Sequence, residues 1–347
     1  MNPYILPIFL FGLGLGTTIT FMSSHWLLAW MGLEINTLAI IPLMAQHHHP
    51  RSVEASTKYF LTQATAAAMI LFASSMNAWM TGQWNINDLS DPLPLTIITL
   101  ALALKLGLAP LHTWLPEVLQ GLDLTTGLIM STWQKLAPFA LLLQLTSQHT
   151  IIISTLAILS TLVGGWGGLN QTQIRKILAY SSIAHLGWMA LVVQYSPSLT
   201  LLALLTYILM TLAAFSLLNF NKATSINSLA TSWFKSPILT ALTPLVMLSL
   251  AGLPPLTGFG PKWMILSELT KQDLAPLATL AALSALLSLF FYLRLSYAMT
   301  LTLSPNTISA SNQWRFNSTQ PALPLSLSTM LALMLLPLLP AMTALVS

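Results

Sequence analysis

Apolar runs of about twenty residues, the length that crosses the ~30 Å hydrocarbon core of a bilayer as one helix, follow one another along almost the whole of this 347-residue chain. Inside lipid each backbone N–H and C=O must be paired within its own segment, so such runs fold as helices. Candidate helices fall over 3–22, 25–45, 57–80, 94–119, 124–145, 150–169, 174–195, 199–219, 237–271, 275–300 and 322–345. The expected fold class is therefore all-α, a polytopic membrane protein of about eleven transmembrane helices. The connectors, such as 81–93, 220–236 and 301–321, are too short for a soluble domain.

The charge content closes off the alternatives. Only 6% of residues are charged and mean hydropathy is +0.76, whereas a soluble domain carries roughly 25% charged residues. The 12 basic and 8 acidic residues are dispersed, with none of the clustering that tracks a phosphate backbone, so nucleic acid is not an expected partner. Cysteine is absent, which rules out disulfides, thiolate metal sites and iron–sulfur ligation by this chain. The sequence holds no P-loop, dinucleotide glycine fingerprint or H-E-x-x-H. His47, His48 and His49 lie together in a connector but no carboxylate or cysteine is placed to complete a metal site with them, and they read as a solvated loop. No metal and no bound cofactor is expected. The N-terminus enters its first apolar run without a basic region, so insertion without a cleaved leader is expected.

Two of the segments are too long for one membrane crossing. Segment 237–271 would extend roughly 50 Å at ~1.5 Å per residue, and the stretch 251–261, with Pro254, Pro255 and Pro261, predicts a break, since each proline lacks an N–H and clashes with the preceding turn. A milder interruption falls at Gly107–Pro110 in segment 94–119. The two interruptions match one another. Residues 107–116, GLAPLHTWLP, and 252–261, GLPPLTGFGP, share G-L-x-P-L-x-x-aromatic-x-P at an offset of 145 residues. Each lies in the fourth span of a five-span unit. An odd number of spans per unit faces the halves in opposite directions, the inverted-repeat plan in which ions bind at paired discontinuous helices. The expected organisation is a single membrane domain over 1–347, with a first five-helix repeat at 1–145, a second at 146–300, and a loop plus C-terminal helix at 301–347.

Loop charges give an orientation. Arg51, Lys58, Arg175, Lys176, Lys222, Lys235 and Arg315 lie in or beside the connectors after spans two, six, eight and ten, while Lys271, Asp88, Asp91 and Asp273 lie on the other side. The positive-inside rule assigns the first group, and the N-terminus with it, to the cytoplasm-equivalent side. Trp26, Trp79, Trp84, Trp114, Trp233 and Trp314 fall near span ends, where interfacial anchors sit. The glycine runs 12–16 and 164–168 have small-xxx-small spacing and read as close helix packing.

Four ionisable residues stand near span centres: Glu34, Lys105, Lys135 and Lys262. A charge at the bilayer centre costs about 2.5–3.5 kcal/mol on insertion scales. Static ion pairs or snorkelling to an interface would lower that cost, and snorkelling suits Lys58 and Arg294 near span ends. Three lysines cannot all pair with one glutamate, however. Burial lowers the proton affinity of a lysine and a carboxylate nearby raises it, so such a row can load and release protons. His112, just past the first interruption, and His185, in mid-span, are the candidate relays between them.

The runs SHWLLAWMGLEIN at 24–36, EASTKYFLTQ at 54–63, GGWGGLNQTQ at 164–173, AYSSIAHLGW at 179–188 and LPPLTGF at 253–259 with Lys262 resemble the antiporter-like membrane subunits of respiratory complex I. The resemblance covers essentially the whole chain, in the animal form that lacks the first three of fourteen helices. It implies a proton-translocation module within a proton-translocating NADH:ubiquinone reductase, with a glutamate–lysine pair at Glu34 and Lys105, a central lysine at Lys135, a lysine on the second broken helix at Lys262, and polar-axis histidines at His112 and His185. It implies a multi-pass place in the mitochondrial inner membrane, with the N-terminus in the matrix and the C-terminus in the intermembrane space. The implied neighbours are membrane lipids and the other membrane-arm chains, 4 and 4L especially, with accessory subunits. NADH, FMN, iron–sulfur clusters and ubiquinone would then be handled by other subunits. A stand-alone cation/proton antiporter and a non-pumping spacer of the membrane arm are the competing functions.

Overall fold

The computed structural model describes residues 4–46, 49–89, 91–145, 150–234, 237–301 and 322–346. They belong to two compact units, Met1–Ser160 and Thr161–Ser347, and apart from two isolated bridges no strand occurs among the described residues.

The first unit contains α1 (Ile5–Met22), α2 (Trp26–Met44), α3 (Pro50–Thr81), α4 (Pro92–Leu106), α5 (Trp114–Gly121), α6 (Leu124–Gln144) and the start of α7 (Thr150–Gly167). Local chemistry sets their ends. The imidazoles of His25 and His49 accept from the backbone N–H groups of Leu27 and Arg51, capping α2 and α3. Of the three adjacent histidines, His49 is thus a helix cap, and His47 and His48 lie outside the described residues. Helix α1 crosses α2 at two glycines: a Cβ on Gly16 would stand 2.8 Å from the Gly32 carbonyl oxygen, and one on Gly32 the same distance from that of Gly16. The packing reading of the 12–16 run holds at this crossing. Gly16→Ala is expected to destabilise the unit by roughly 1–3 kcal/mol, as overpacking does, seen as a lower thermal midpoint of the assembled protein. Gly14→Ala, whose methyl meets nothing within 4 Å, should leave that midpoint unchanged.

The second unit holds the rest of α7, then α8 (Ile174–Val192), α9 (Pro197–Asn221), α10 (Ile226–Ala230), a 3-10 turn at Thr231–Phe234, α11 (Pro237–Ala251), α12 (Phe259–Lys271), α13 (Ala275–Thr300), α14 (Ala322–Met334), a 3-10 turn at Leu336–Leu338 and α15 (Leu339–Val346). The glycine run ending α7 is again a packing device, with Gly164 against the Ala184 backbone and Gly168 against the Phe291 ring. The Arg294 guanidinium donates to the Leu169 carbonyl at 2.8 Å, just past the end of α7.

Each unit ties its own connectors together in the same way. In the first, Trp26 N–H donates to Trp84 O and Ile86 N–H to Ser24 O, both at 3.0 Å, so the α1–α2 connector pairs with the α3–α4 connector. In the second, Ile174 N–H donates to Thr224 O and Ile226 N–H to Thr172 O, both at 3.2 Å, pairing the α7–α8 connector with the α9–α10 connector.

Both expected breaks are present, and their backbones follow one pattern. Helix α4 ends at Gly107 (φ 79°) and α11 at Gly252 (φ 82°), and Ala109–Pro110 and Pro254–Pro255 are cis. Gly107 N–H donates to the carbonyls of Ala103 and Leu104, and Leu108 N–H to Ala103; Gly252 N–H donates to Leu248 and Ser249, and Leu253 N–H to Leu248. A left-handed glycine followed by a bond reaching back to the last turn is the usual way a helix satisfies its terminal carbonyls.

Helix occupies part of each of the eleven expected segments. Among the described residues, α1, α2, α3, α9 and α13 are individually long and apolar enough to cross a membrane, and α14 with α15 makes a sixth if that bent pair is one span. The chain is a multi-pass membrane protein. One correction concerns the C-terminal segment, expected as one continuous helix: α14 and the helix after it meet at a 68° bend. Pro337 lacks the N–H for the ladder and its ring crowds the carbonyl four residues back. At this bend the Thr257 hydroxyl, from the loop of the second break, donates to the Ala332 carbonyl. A second correction concerns the tryptophans. Trp79 is 91% exposed, as an anchor would be, but Trp26 is fully buried and Trp114 nearly so; the Trp114 indole donates to the Leu104 carbonyl across the first break. Trp314 lies outside the described residues.

Candidate functional site

In the first unit, α2, α3, α4 and α6 converge and bring polar side chains to one interior cavity. It is lined by Asn36 and Thr37 from α2, Tyr59 and Gln63 from α3, Lys105 from α4, and Gln134 and Lys135 from α6, with Leu33, Leu106, Trp114, Leu115, Met130 and Pro138 as apolar walls. The space is narrow, with room on the order of one water molecule. Lys105 and Lys135 are 5% and 4% exposed, so both expected lysines are interior and share this cavity. Glu34 is one residue from the lining on α2, with its Oε2 atom fully buried.

Lys105 is not at the middle of a continuous span. It occupies the last turn of α4, immediately before the left-handed Gly107, where the partial negative charge of the helix C-terminus favours a cation. Neither Lys105 Nζ nor Glu34 Oε2 has a hydrogen-bond partner among the described residues. Among the described residues, exposed lysines form ion pairs: Lys58 with Glu54 and Glu117, each at 2.8 Å, and Lys271 with Glu268 at 3.5 Å. Static pairing thus holds Lys58 and Lys271, while Lys105 Nζ and Glu34 Oε2 make no hydrogen bond to each other.

A second cavity, wholly in the second unit, is lined by Ser181, Ala184, His185 and Trp188 from α8, Lys262 from α12, and Ser288 and Tyr292 from α13. Lys262 begins beyond the break but reaches back over it. Its ammonium donates to the Ala251 carbonyl, the last of α11, at 2.8 Å, and stands 5.9 Å from the Trp188 ring centroid. Gly252 makes the passage possible, since a Cβ there would lie 2.9 Å from Lys262 Cδ and 3.1 Å from Nζ. In both units, then, a lysine is associated with the C-terminal end of the first half of a broken helix, Lys105 by its place in the last turn of α4 and Lys262 by its bond to Ala251. His185 is 9% exposed, with its ring 5.4 Å from that of Tyr207 on α9.

Of the residues expected from sequence, Lys105 and Lys135 come together with Glu34 adjacent, and Lys262 and His185 come together in the other unit. His112 does not join them. It is half-buried, its Nδ1 lies 3.3 Å from the Pro110 carbonyl, and it lines neither cavity. Tyr59, Gln63 and Gln134 in the first cavity, and Trp188 and Tyr292 in the second, were not anticipated. The one local signal is the spacing of Tyr59 and Gln63, four residues apart on one face of α3. Among the described residues no group of three or more His, Asp or Glu side chains could hold a metal ion.

Buried basic sites beside interrupted helices, in an all-helical multi-pass chain, define a class of ion-handling membrane protein, and sequence comparison places the chain within it. The family described as NADH:quinone oxidoreductase/Mrp antiporter, transmembrane, matches residues 23–288, and the chain belongs to that family. The region beyond it, residues 289–343, matches the family of NADH dehydrogenase subunit 2 C-termini. At the level of particular proteins, the chain is 70% identical over 345 residues to NADH-ubiquinone oxidoreductase chain 2 of Tetraodon nigroviridis, covering 99% of each chain. It is 69% identical over 348 residues to the same protein of Salmo salar, covering 100% of each. Among solved structures it resembles a chain of respiratory complex I from Thermus thermophilus with bound aureothin, with TM-score 0.87 and 29% identity over 99% of this chain and 80% of that one. A chain of the Mrp complex from Dietzia shares the fold at TM-score 0.83 and 17% identity, over 95% of this chain and 74% of that one.

Proposed function

We propose that this chain is a core membrane-arm subunit of respiratory complex I, contributing a proton-translocation module to an enzyme whose electron transfer from NADH to ubiquinone occurs in other subunits. The observation that carries the reading is the first cavity, where Lys105 and Lys135 are both interior and where Lys105 Nζ and, beside it, Glu34 Oε2 have no hydrogen-bond partner among the described residues. A buried charge without a fixed partner is costly. It is tolerable where the group exchanges its proton and hydrates, which is what a proton carrier requires. Glu34, Lys105, Lys135 and Lys262 are the proton-carrying groups and His185 a relay beside Lys262. His112 keeps a relay role only as a group at the rim of the first break.

The architecture is read as eleven spans, with residues 1–145 and 146–300 as two inverted five-helix repeats and 301–347 as loop and bent C-terminal helix. The shared backbone pattern of the breaks and the like pairing of connectors in each unit support the repeat. The chain works in the mitochondrial inner membrane, with its N-terminus in the matrix and its C-terminus in the intermembrane space on the loop-charge argument. Chains 4 and 4L and accessory subunits are its neighbours. NADH, FMN, iron–sulfur clusters and ubiquinone are bound elsewhere in the complex.

The test is proton pumping per NADH oxidised in reconstituted, fully assembled enzyme carrying Lys135→Met, with Lys105→Ala in parallel. Turnover or stoichiometry is expected to fall severalfold in both while assembly stays normal. If both variants pump like the parent, the lysines are not the proton route and the spacer function takes over. Proton or cation exchange by the isolated chain would favour the stand-alone antiporter.

A further inference from the structure

The first cavity holds more polar chemistry than its two lysines need. The Nε2 atoms of Gln63 and Gln134 and Oδ1 of Asn36 are buried without a hydrogen-bond partner among the described residues, and all three side chains line the cavity. Gln63 is itself only 4% exposed. Buried polar groups in folded proteins are almost always satisfied, by protein or by an ordered water. Several unsatisfied groups around a space of about one water's size are the conditions under which such a water is held.

The amide of Gln134 has a defined orientation. The Tyr59 hydroxyl donates to Gln134 Oε1 at 3.4 Å. The Nε2 of the same amide is left without a partner among the described residues, and the side chain lines the cavity. Gln63 lies one turn along α3 from Tyr59, and its NH₂ is the second such donor. A water that accepts from one of these NH₂ groups keeps a second lone pair to accept from the ammonium of one lysine and an O–H to donate to the amine of the other, and beside the Tyr59 phenol the two lysines are the ionisable groups of the lining.

We infer that Gln134, oriented by Tyr59 and seconded by Gln63, positions a water between Lys105 and Lys135 so that a proton passes from one lysine to the other. The inference rests on the proton-carrier function proposed above and adds to it the residues that make the connection. The step balances without a co-reactant. The ammonium of one lysine gives a proton to the water oxygen, the water gives one of its original protons to the neutral amine of the other, and the products are amine, water and ammonium. No electron is transferred, and neither glutamine changes protonation. These three are positioning residues, acting through the water they hold.

The experiment measures steady-state kcat and KM of coupled NADH oxidation, with the H₂O/D₂O rate ratio, in assembled enzyme carrying Gln134→Leu, Tyr59→Phe or Lys135→Met. Gln134→Leu is expected to lower kcat severalfold with KM for NADH and quinone unchanged, and to raise the isotope ratio, because proton passage becomes slower. Tyr59→Phe, which loses one oxygen and keeps the ring, should do the same to a smaller extent. A change confined to packing would not move the isotope ratio. Parental kcat and isotope ratio in Gln134→Leu, where Lys135→Met is impaired, overturn the inference and leave the proton-carrier function standing. Parental behaviour of Lys135→Met as well removes that function and the inference with it. Should Gln134→Leu fail to assemble, Tyr59→Phe decides by the same ratio: raised supports the inference, parental overturns it.

Discussion

Gly258→Ala is expected to abolish accumulation of the chain in the assembled complex. A methyl at this position would overlap the carbonyl oxygen of Ser249 and stand 2.9 Å from its carbon and 3.1 Å from Met210 Sδ. Ordinary overpacking costs about 1–3 kcal/mol because side chains turn aside. Here the obstacle is backbone, and it is backbone already in use, since the Ser249 carbonyl accepts from Gly252 N–H as the last turn of α11 closes. Moving it opens the helix end that the Lys262 ammonium caps. Relief on the other side is blocked as well. Thr257 is bonded to the bend between α14 and α15, and Gly260 packs directly against Leu339. The measurement is the amount of this chain in native-gel complex I from cells expressing the variant. Normal amounts would show that the loop 252–258 is far more plastic than its packing allows.

The sequence made the helices legible because a membrane admits so few solutions: a run of twenty apolar residues in lipid has essentially one fold. Both breaks were legible for the complementary reason, since prolines and a glycine inside an overlong span leave no continuous ladder. The C-terminal bend escaped notice because residues 322–345 have the length of one span, and length did not betray Pro337 there. Intramembrane charge located Lys105, Lys135, Lys262 and Glu34, but it could not say how each side chain reaches its cavity. That Lys262 turns back across Gly252 to the end of α11 depends on a tertiary path with no local pattern. His112 reads as a relay from its place just past the break, and the structure leaves it half-buried and outside the lining of both cavities. Trp26 and Trp114 illustrate the limit of position-based reading: both fall near span ends, yet one is fully interior and the other braces a break. Tyr59, Gln63 and Gln134 were missed because a search keyed to formal charge passes over amides and phenols, although in lipid an uncharged amide needs a partner almost as much as a charge does.

Lys262→Met should leave the complex assembled and lower its proton-coupled turnover by tenfold or more, toward the 10²-fold range typical of a lost proton-transfer group. Two consequences of the substitution act together. The second cavity, which His185 and Tyr292 also line, loses its lysine. The Ala251 carbonyl loses its donor at the open end of α11, a cost of roughly 1–3 kcal/mol that methionine, similar in length, does not enlarge by creating a void. Lys262→Arg separates the two. An arginine can still donate to Ala251 and complement the helix end, yet it does not release its proton in proteins. If Arg restores stability without restoring pumping, the lysine works as a proton carrier. If Arg restores both, the ammonium serves only to cap α11. Gly252→Ala approaches the site from the other side: its methyl would press on Lys262 Cδ and Nζ at a backbone φ of 82° that L-residues adopt at a cost. It should therefore impair pumping while every titratable residue remains in place, and parental pumping in that variant would mean that the reach of Lys262 across the break is not needed for the proton to move.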